Sequence, residues 1–216
     1  MGLKKSIPFL ILLFYSAYCC TVWNQPTDLN FYLKPILIPV LVAYSIAYIK
    51  SNLKWTLVLA LALSTAGDIF LLSNKELHFI LGLGSFLLAH VVYIYLLFLQ
   101  RETIQKKGVI AVLSLIIVIY LFFFLSFLWN GLGDLKIPVV LYGTTISTML
   151  WFALRNYIEN KTIANQWIAV GAFFFVLSDS LLATGLFHHK LNHGSFFVMS
   201  TYLFAQFALV QGFQRK

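Results

Sequence analysis

Long apolar runs alternate with short polar stretches along the whole chain. Eight such runs stand out: Ile7–Trp23, Pro35–Ile49, Trp55–Leu72, Phe79–Leu99, Val109–Trp129, Ile137–Leu154, Trp167–Phe187 and Ser195–Phe213. As a helix rising about 1.5 Å per residue, a run of this kind crosses a hydrocarbon core roughly 30 Å thick. The second is the shortest, and Pro39 predicts a kink near its start. The connections are short and leave no room for a soluble domain. The pattern therefore predicts an all-α fold, a polytopic membrane bundle of eight transmembrane helices forming a single integral membrane domain over residues 1–216.

Composition agrees with the pattern. The 216 residues are 61% hydrophobic and 10% charged, with a mean hydropathy of +0.88, values that exclude an ordinary water-soluble domain. Lys4 and Lys5 before the first run resemble a signal peptide, but no small-x-small cleavage site precedes "NQPTD", so the run is read as a span. Cys19 and Cys20 are adjacent in that span, an arrangement unsuited to a mutual disulfide, and are read as packing residues.

Charge sets the expected orientation. With the amino terminus inside, the inner segments carry Lys4, Lys5, Lys50, Lys54, Arg101, Lys106, Lys107, Arg155, Lys161, Arg215 and Lys216, and the outer ones only Lys34, Lys75, Lys136 and Lys190. Basic residues in short loops resist translocation. Both termini are thus expected in the cytoplasm, and helical spans point to a bacterial inner membrane. The formal charge of +8 reads as topology and contact with anionic lipid headgroups rather than nucleic-acid binding.

Two acids do not fit this apolar background. Asp28 and Asp134 fall in predicted outer loops, but Asp68 in "STAGDIFLL" and Asp179 in "FVLSDSLLA" fall within spans. An aspartate near a helix centre costs about 3 kcal/mol on insertion scales, and such residues usually face a bundle interior. Counted from Trp55 and Trp167, the two lie roughly 18 to 20 Å along their helices, in one layer. Other polar groups converge there. Gly82, Phe86, Ala89, His90 and Tyr93 share one face of span four, Tyr202 and Gln206 lie one turn apart on span eight, Tyr142 is on span six, and Lys34 sits at the mouth of span two. Gly82, Gly84, Ser85 and Ala89 read as small residues that let helices approach. "GDIFLL…GSFLLAH" echoes "SDSLLA…STYLFAQ", and "LKPILIP" echoes "LKIPVV", four helices apart in each case. A four-plus-four duplication would set Asp68 and Asp179 across a pseudo-twofold axis.

Familiar soluble-enzyme signatures are absent from the sequence, including Gly-x-Ser-x-Gly, a Walker loop, His-Glu-x-x-His and Cys-x-x-Cys. The histidines of "FHHKLNH" include His189 and His193 at a ligand-like spacing, but no acid accompanies them, and no metal site is expected. Read from the residues alone, paired intramembrane acids fit an acid–base hydrolase, a proton-coupled transporter or a lipid-binding membrane protein.

Five stretches narrow the choice: Lys34–Pro35, "GDIFLL" at Gly67–Leu72, "FILGLGSFLLAHVVYI" at Phe79–Ile94, "SDSLLA" at Ser178–Ala183 and "YLFAQ" at Tyr202–Gln206. Together, and in this order, they resemble the YhhN-like lysoplasmalogenase family of membrane proteins, from span two to span eight. The resemblance implies an eight-helix enzyme that hydrolyses the vinyl ether bond of lysoplasmalogens. Its substrate would be a lysophospholipid, and its products a fatty aldehyde and glycerophospho-ethanolamine or glycerophospho-choline. The family's intramembrane aspartates map onto Asp68 and Asp179, and its helix-four histidine and tyrosine onto His90 and Tyr93.

Such a reaction suits two carboxyl groups. Proton transfer to the alkenyl carbon distal to oxygen gives an oxocarbenium ion, which captures water and collapses through a hemiacetal to the aldehyde. One acid supplies the proton while the other, ionised, stabilises the cation and orients water, as in glycoside hydrolysis. No cofactor is required. Tyr142, Tyr202, Gln206 and His90 would position water and the ether oxygen, Lys34 would meet the lipid phosphate, and Phe86, Phe174 and Phe175 would line the chain's path. A lysolipid would enter sideways from the outer leaflet.

Overall fold

The computed structural model describes residues 3–23, 28–73, 75–101 and 103–216. The "NQPT" stretch and the side chains of Lys4, Lys5 and Asp28, used above for cleavage and charge arguments, lie outside the described residues. Eight α-helices follow one another: α1 (Leu3–Trp23), α2 (Asp28–Tyr48), α3 (Lys54–Phe70), α4 (Glu76–Leu99), α5 (Lys107–Leu128), α6 (Lys136–Glu159), α7 (Ile163–Phe187) and α8 (Gly194–Gln214). Seven are long and apolar enough to cross a membrane. The eighth, α3, has 17 residues and reaches about 25 Å, at the short end of the spanning range. The chain is an integral membrane protein.

Two helices exceed their apolar runs by five residues or more. The helix α2 begins at Asp28, seven residues before the predicted start, so Lys34 belongs to its second turn and not to a loop. Polar residues here remain helical because they face protein: Asn30 is buried beside Thr21 of α1. Similarly, α6 runs five residues past Leu154 and buries Arg155 and Asn156. The Asn156 amide donates to the Leu97 carbonyl at 3.0 Å, and Asn165 donates to the carbonyls of Asn160 (2.8 Å) and Asn156 (3.2 Å). Thr162 caps α7 by accepting from the Asn165 N–H at 3.1 Å. This network ties α4, α6 and α7 together at the end remote from the acids.

At the centre of the bundle is α8, in which every residue from Ala205 to Phe213 is buried; a helix buried on all sides occupies a core. It packs most closely on α7. At Gly171 an added Cβ would lie 2.9 Å from the Leu209 nitrogen, and at Gly212 it would lie 2.9 Å from the Ala164 carbonyl, so both backbones require glycine for this approach. The second close pair is α3 with α4, where a Cβ on Gly67 would stand 2.6 Å from the Phe86 ring. Gly84 and Ser85 do not serve this packing as predicted: a Cβ on Gly84 meets nothing within 4 Å, and the Ser85 hydroxyl turns back to the Leu81 carbonyl at 2.8 Å. Gly84 is exposed and Ser85 half-buried, while Gly82 and Ala89 are buried.

The outlier is α5, which buries only Ile110, Ile117 and Leu128. It is fastened to α6 by a 2.9 Å bond from the Trp151 indole to Ser114 and presents most of its side chains outward. Hydroxyls within spans mostly bond to the carbonyl four residues back, as Ser64 does to Ala60 (3.0 Å) and Thr65 to Leu61 (2.9 Å), which satisfies them without water. Cys19 is buried, Cys20 is exposed, and both are free thiols.

Candidate functional site

The two intramembrane aspartates open onto one cavity of about 130 Å³. Every helix except α1 contributes to its wall. Lys34 comes from α2, Asp68 from α3, Phe79 and Phe86 from α4, Tyr120 and Leu125 from α5, Tyr142 and Ser147 from α6, Asp179 from α7, and Tyr202 from α8. Most of the wall is aliphatic or aromatic, with the polar groups gathered around the two carboxyls. That combination suits an amphiphile with one reactive polar joint.

Each acid receives a tyrosine. The Tyr202 hydroxyl donates to Asp68 Oδ2 at 2.8 Å, and the Tyr142 hydroxyl donates to Asp179 Oδ2. Behind Asp68 the donors continue in series. Tyr93 donates to Gln206 Oε1 at 2.7 Å, which orients the amide, and Gln206 Nε2 points at the Tyr202 oxygen at 3.5 Å. Donors aligned in one direction polarise one another and strengthen the last bond, here the one to Asp68. Asp68 is 4% exposed, and Lys34 Nζ lies 3.9 Å from its Oδ1. Asp179 is only partly buried and, among the described residues, no ion pair reaches it.

His90 belongs to the supporting layer. Its Nδ1 lies 2.7 Å from the Phe86 carbonyl one turn back; a carbonyl only accepts, so Nδ1 carries the proton and Nε2 is a bare acceptor. That Nε2 is fully buried and has no partner among the described residues. The ring meets the edges of Tyr142 (5.4 Å between centroids) and Phe175 (4.6 Å). Phe175 also packs edge-on against Tyr202 at 5.5 Å, so one fully buried phenylalanine holds both the histidine and a site tyrosine in place.

Of the residues singled out in the sequence, Lys34, Asp68, Tyr142, Asp179, Tyr202 and Phe86 line the cavity. His90, Tyr93 and Gln206 stand one layer behind it, buried, and reach it through Tyr142 and Tyr202. Phe174 and Phe175 do not line the chain path as predicted: Phe175 is enclosed by aromatic rings, and Phe174 packs on Phe204 at 4.7 Å. In the histidine-rich connection, His188 stacks on Phe127 and His193 on Trp23. The described residues contain no cluster suited to a metal ion.

Tyr120 is a wall residue that the sequence reading missed. Ser180 donates to the Val176 carbonyl at 2.6 Å, so Tyr120 is the donor in its own 2.6 Å bond to Ser180, next to Asp179. Its signal lay in plain view as one of the few hydroxyls in the apolar run of α5.

The chain is 37% identical over 138 residues to a lysoplasmalogenase of Mycobacterium tuberculosis, covering 62% of this chain and 50% of the relative. It is 32% identical over 147 residues to lysoplasmalogenase TMEM86B of Sus scrofa, covering 68% and 58%. The human TMEM86B is 30% identical over 147 residues, with the same coverage. The chain thus spans half to three-fifths of the length of these curated relatives. No solved structure matches it. The profile of the YhhN family matches residues 29–213, which include all eight residues singled out as the site, and the chain belongs to that family.

Proposed function

We propose that the chain is a lysoplasmalogen hydrolase that cleaves the vinyl ether of a single-chain phospholipid within the membrane. The observation that carries this reading is the opening of Asp68 and Asp179 onto one largely apolar cavity, and the relatives named lysoplasmalogenase support it. An alkenyl chain would lie along Leu121, Leu125, Val139 and Ile146, with its ether between the carboxyls.

The neighbours of each acid divide the work. Asp68 has an ammonium at 3.9 Å and a tyrosine donor at 2.8 Å, partners that suit a carboxylate. Asp179 has one tyrosine and no cation among the described residues. Asp179 is therefore assigned as the proton donor to the alkenyl carbon distal to oxygen. Asp68 stabilises the oxocarbenium ion and orients the water that attacks it. The attacking water returns a proton to the site, and the hemiacetal collapses to aldehyde and the glycerol hydroxyl, so atoms balance without a redox step. Tyr142 and Tyr202 hold the carboxyls; His90, Gln206 and Tyr93 hold the tyrosines. The charge distribution favours both termini in the cytoplasm, with the cavity nearer the outer leaflet.

The test is aldehyde release from an alkenyl lysophosphoethanolamine by the purified full chain in detergent, beside Asp68→Asn and Asp179→Asn. Turnover by the wild type and its loss in both variants is expected. Hydrolysis needs no gradient, so a wild type that binds the lipid without cleaving it would favour a carrier, and undiminished turnover in both variants would reject the chemistry.

A further inference from the structure

The cavity adjoins a second space, of about 870 Å³, for which the reaction assigns no role. It is bounded by the ends of α1, α2, α7 and α8 and shares Lys34, Leu182, Leu186, Val198 and Met199 with the cavity, so the two are contiguous. Its lining has a different character. Asn30, Lys34, Lys190 and His193 line it, and no carboxylate does among the described residues. Trp23, which stacks on His193 at 4.1 Å, forms part of the same wall, as expected of an aromatic at headgroup depth.

Asn30 is the telling residue. It is 6% exposed, and its contact is with the Thr21 hydroxyl, 2.8 Å from Oδ1. That hydroxyl also lies 2.6 Å from the Tyr18 carbonyl and has a single proton to give. Whichever way the amide is turned, one of its two polar atoms lacks a partner among the described residues, a costly state for a buried group. An acceptor oxygen beside it would select the orientation that presents N–H. Two ammonium groups and an amide, around a space that no carboxylate lines among the described residues, define a site for an anion.

We propose that this vestibule is a headgroup site, in which Asn30, Lys34 and Lys190 take the phosphodiester of a single-chain glycerophospholipid whose chain lies in the adjoining cavity. The proposal rests on the hydrolase reading for the placement of the lipid. Lys34, shared by both spaces, would link headgroup recognition to Asp68. A neutral alkenylglycerol would forgo these contacts.

The test uses ligands that cannot be cleaved, so it stands apart from the activity assay. The purified full chain in detergent is titrated with a 1-O-alkyl lysophosphoethanolamine and with the 1-O-alkylglycerol of the same chain length. The phosphodiester ligand is expected to bind about tenfold more tightly, as charge-assisted contacts allow. Lys190→Ala and Asn30→Leu should each bring the ratio of the two affinities down at least about threefold. Lys190 is exposed, so its variant keeps the test open should Asn30→Leu fail to fold. Glycerophosphoethanolamine should compete with the lysolipid, and inorganic phosphate at the same concentration should not. Equal affinities in the wild type, a ratio unaltered by Lys190→Ala, or equal competition by inorganic phosphate would overturn the proposal. A chain that shows the expected ratios but releases no aldehyde would reject the hydrolase reading alone.

Discussion

The two acids sit on one cavity, yet their surroundings differ in kind. Asp68 ends a line of donors from Tyr93 through Gln206 and Tyr202, is closed off from solvent, and has Lys34 for a counter-charge. Asp179 has Tyr142, stands more open to the cavity, and has no cation among the described residues. Two identical side chains can thus be given unlike tasks by neighbours alone, the principle on which carboxyl pairs in other hydrolases divide acid and anion roles.

Breaking the pair at Asp179 should cost most. Asp179→Asn removes the assigned proton donor, and kcat for aldehyde release should fall about 10³-fold, within the usual range for a general acid. Asp68→Asn removes the stabilising anion and should cost about 10²-fold. The double variant should be about as slow as Asp179→Asn alone, because groups that act as a unit are non-additive. Lys34→Met or Tyr202→Phe leaves Asp68 in place but strips one partner, and kcat should fall about tenfold, the equivalent of ~1.4 kcal/mol. Tyr142→Phe, which removes a hydroxyl bonded to Asp179 rather than Asp68, should act on the proton-transfer step, visible as an altered solvent deuterium isotope effect that Tyr202→Phe does not share. Smallest of all, Leu125→Trp narrows the apolar wall and leaves both acids and their partners in place. It should lower kcat/KM for a long alkenyl chain about threefold more than for a short one, a modest difference typical of hydrocarbon discrimination.

The sequence carried much of this arrangement, for reasons that differ from residue to residue. Helices in lipid must be long and apolar, so all eight appear as runs, and an aspartate in such a run is conspicuous because its presence is costly. Similar distances along the chain from Trp55 and Trp167 place Asp68 and Asp179 in one layer. Hydropathy could not reveal that α2 starts at Asp28 or that α6 continues through Arg155 and Asn156, since polar residues that face protein look like loop residues until their partners are seen. Nor could it separate the cavity wall from the layer behind it. His90, Tyr93 and Gln206 share helix faces with wall residues, and only the position of Phe175 and the neighbouring tyrosines decides which of them touch the space. Tyr120 lies in a run with no acid or amide to mark it, and Asn30 precedes the predicted span.

The assignment of a proton donor can be tested at the carbon that receives the proton. The wild-type chain cleaves an alkenyl lysolipid in D2O, the aldehyde is reduced at once to the alcohol, and the deuterium is located by mass spectrometry. One deuterium on the carbon adjoining the former carbonyl is expected, at a rate that Asp179→Asn lowers about 10³-fold and Asp68→Asn lowers less. Aldehyde formed without deuterium at that carbon, or formed at the wild-type rate by Asp179→Asn, would contradict the account.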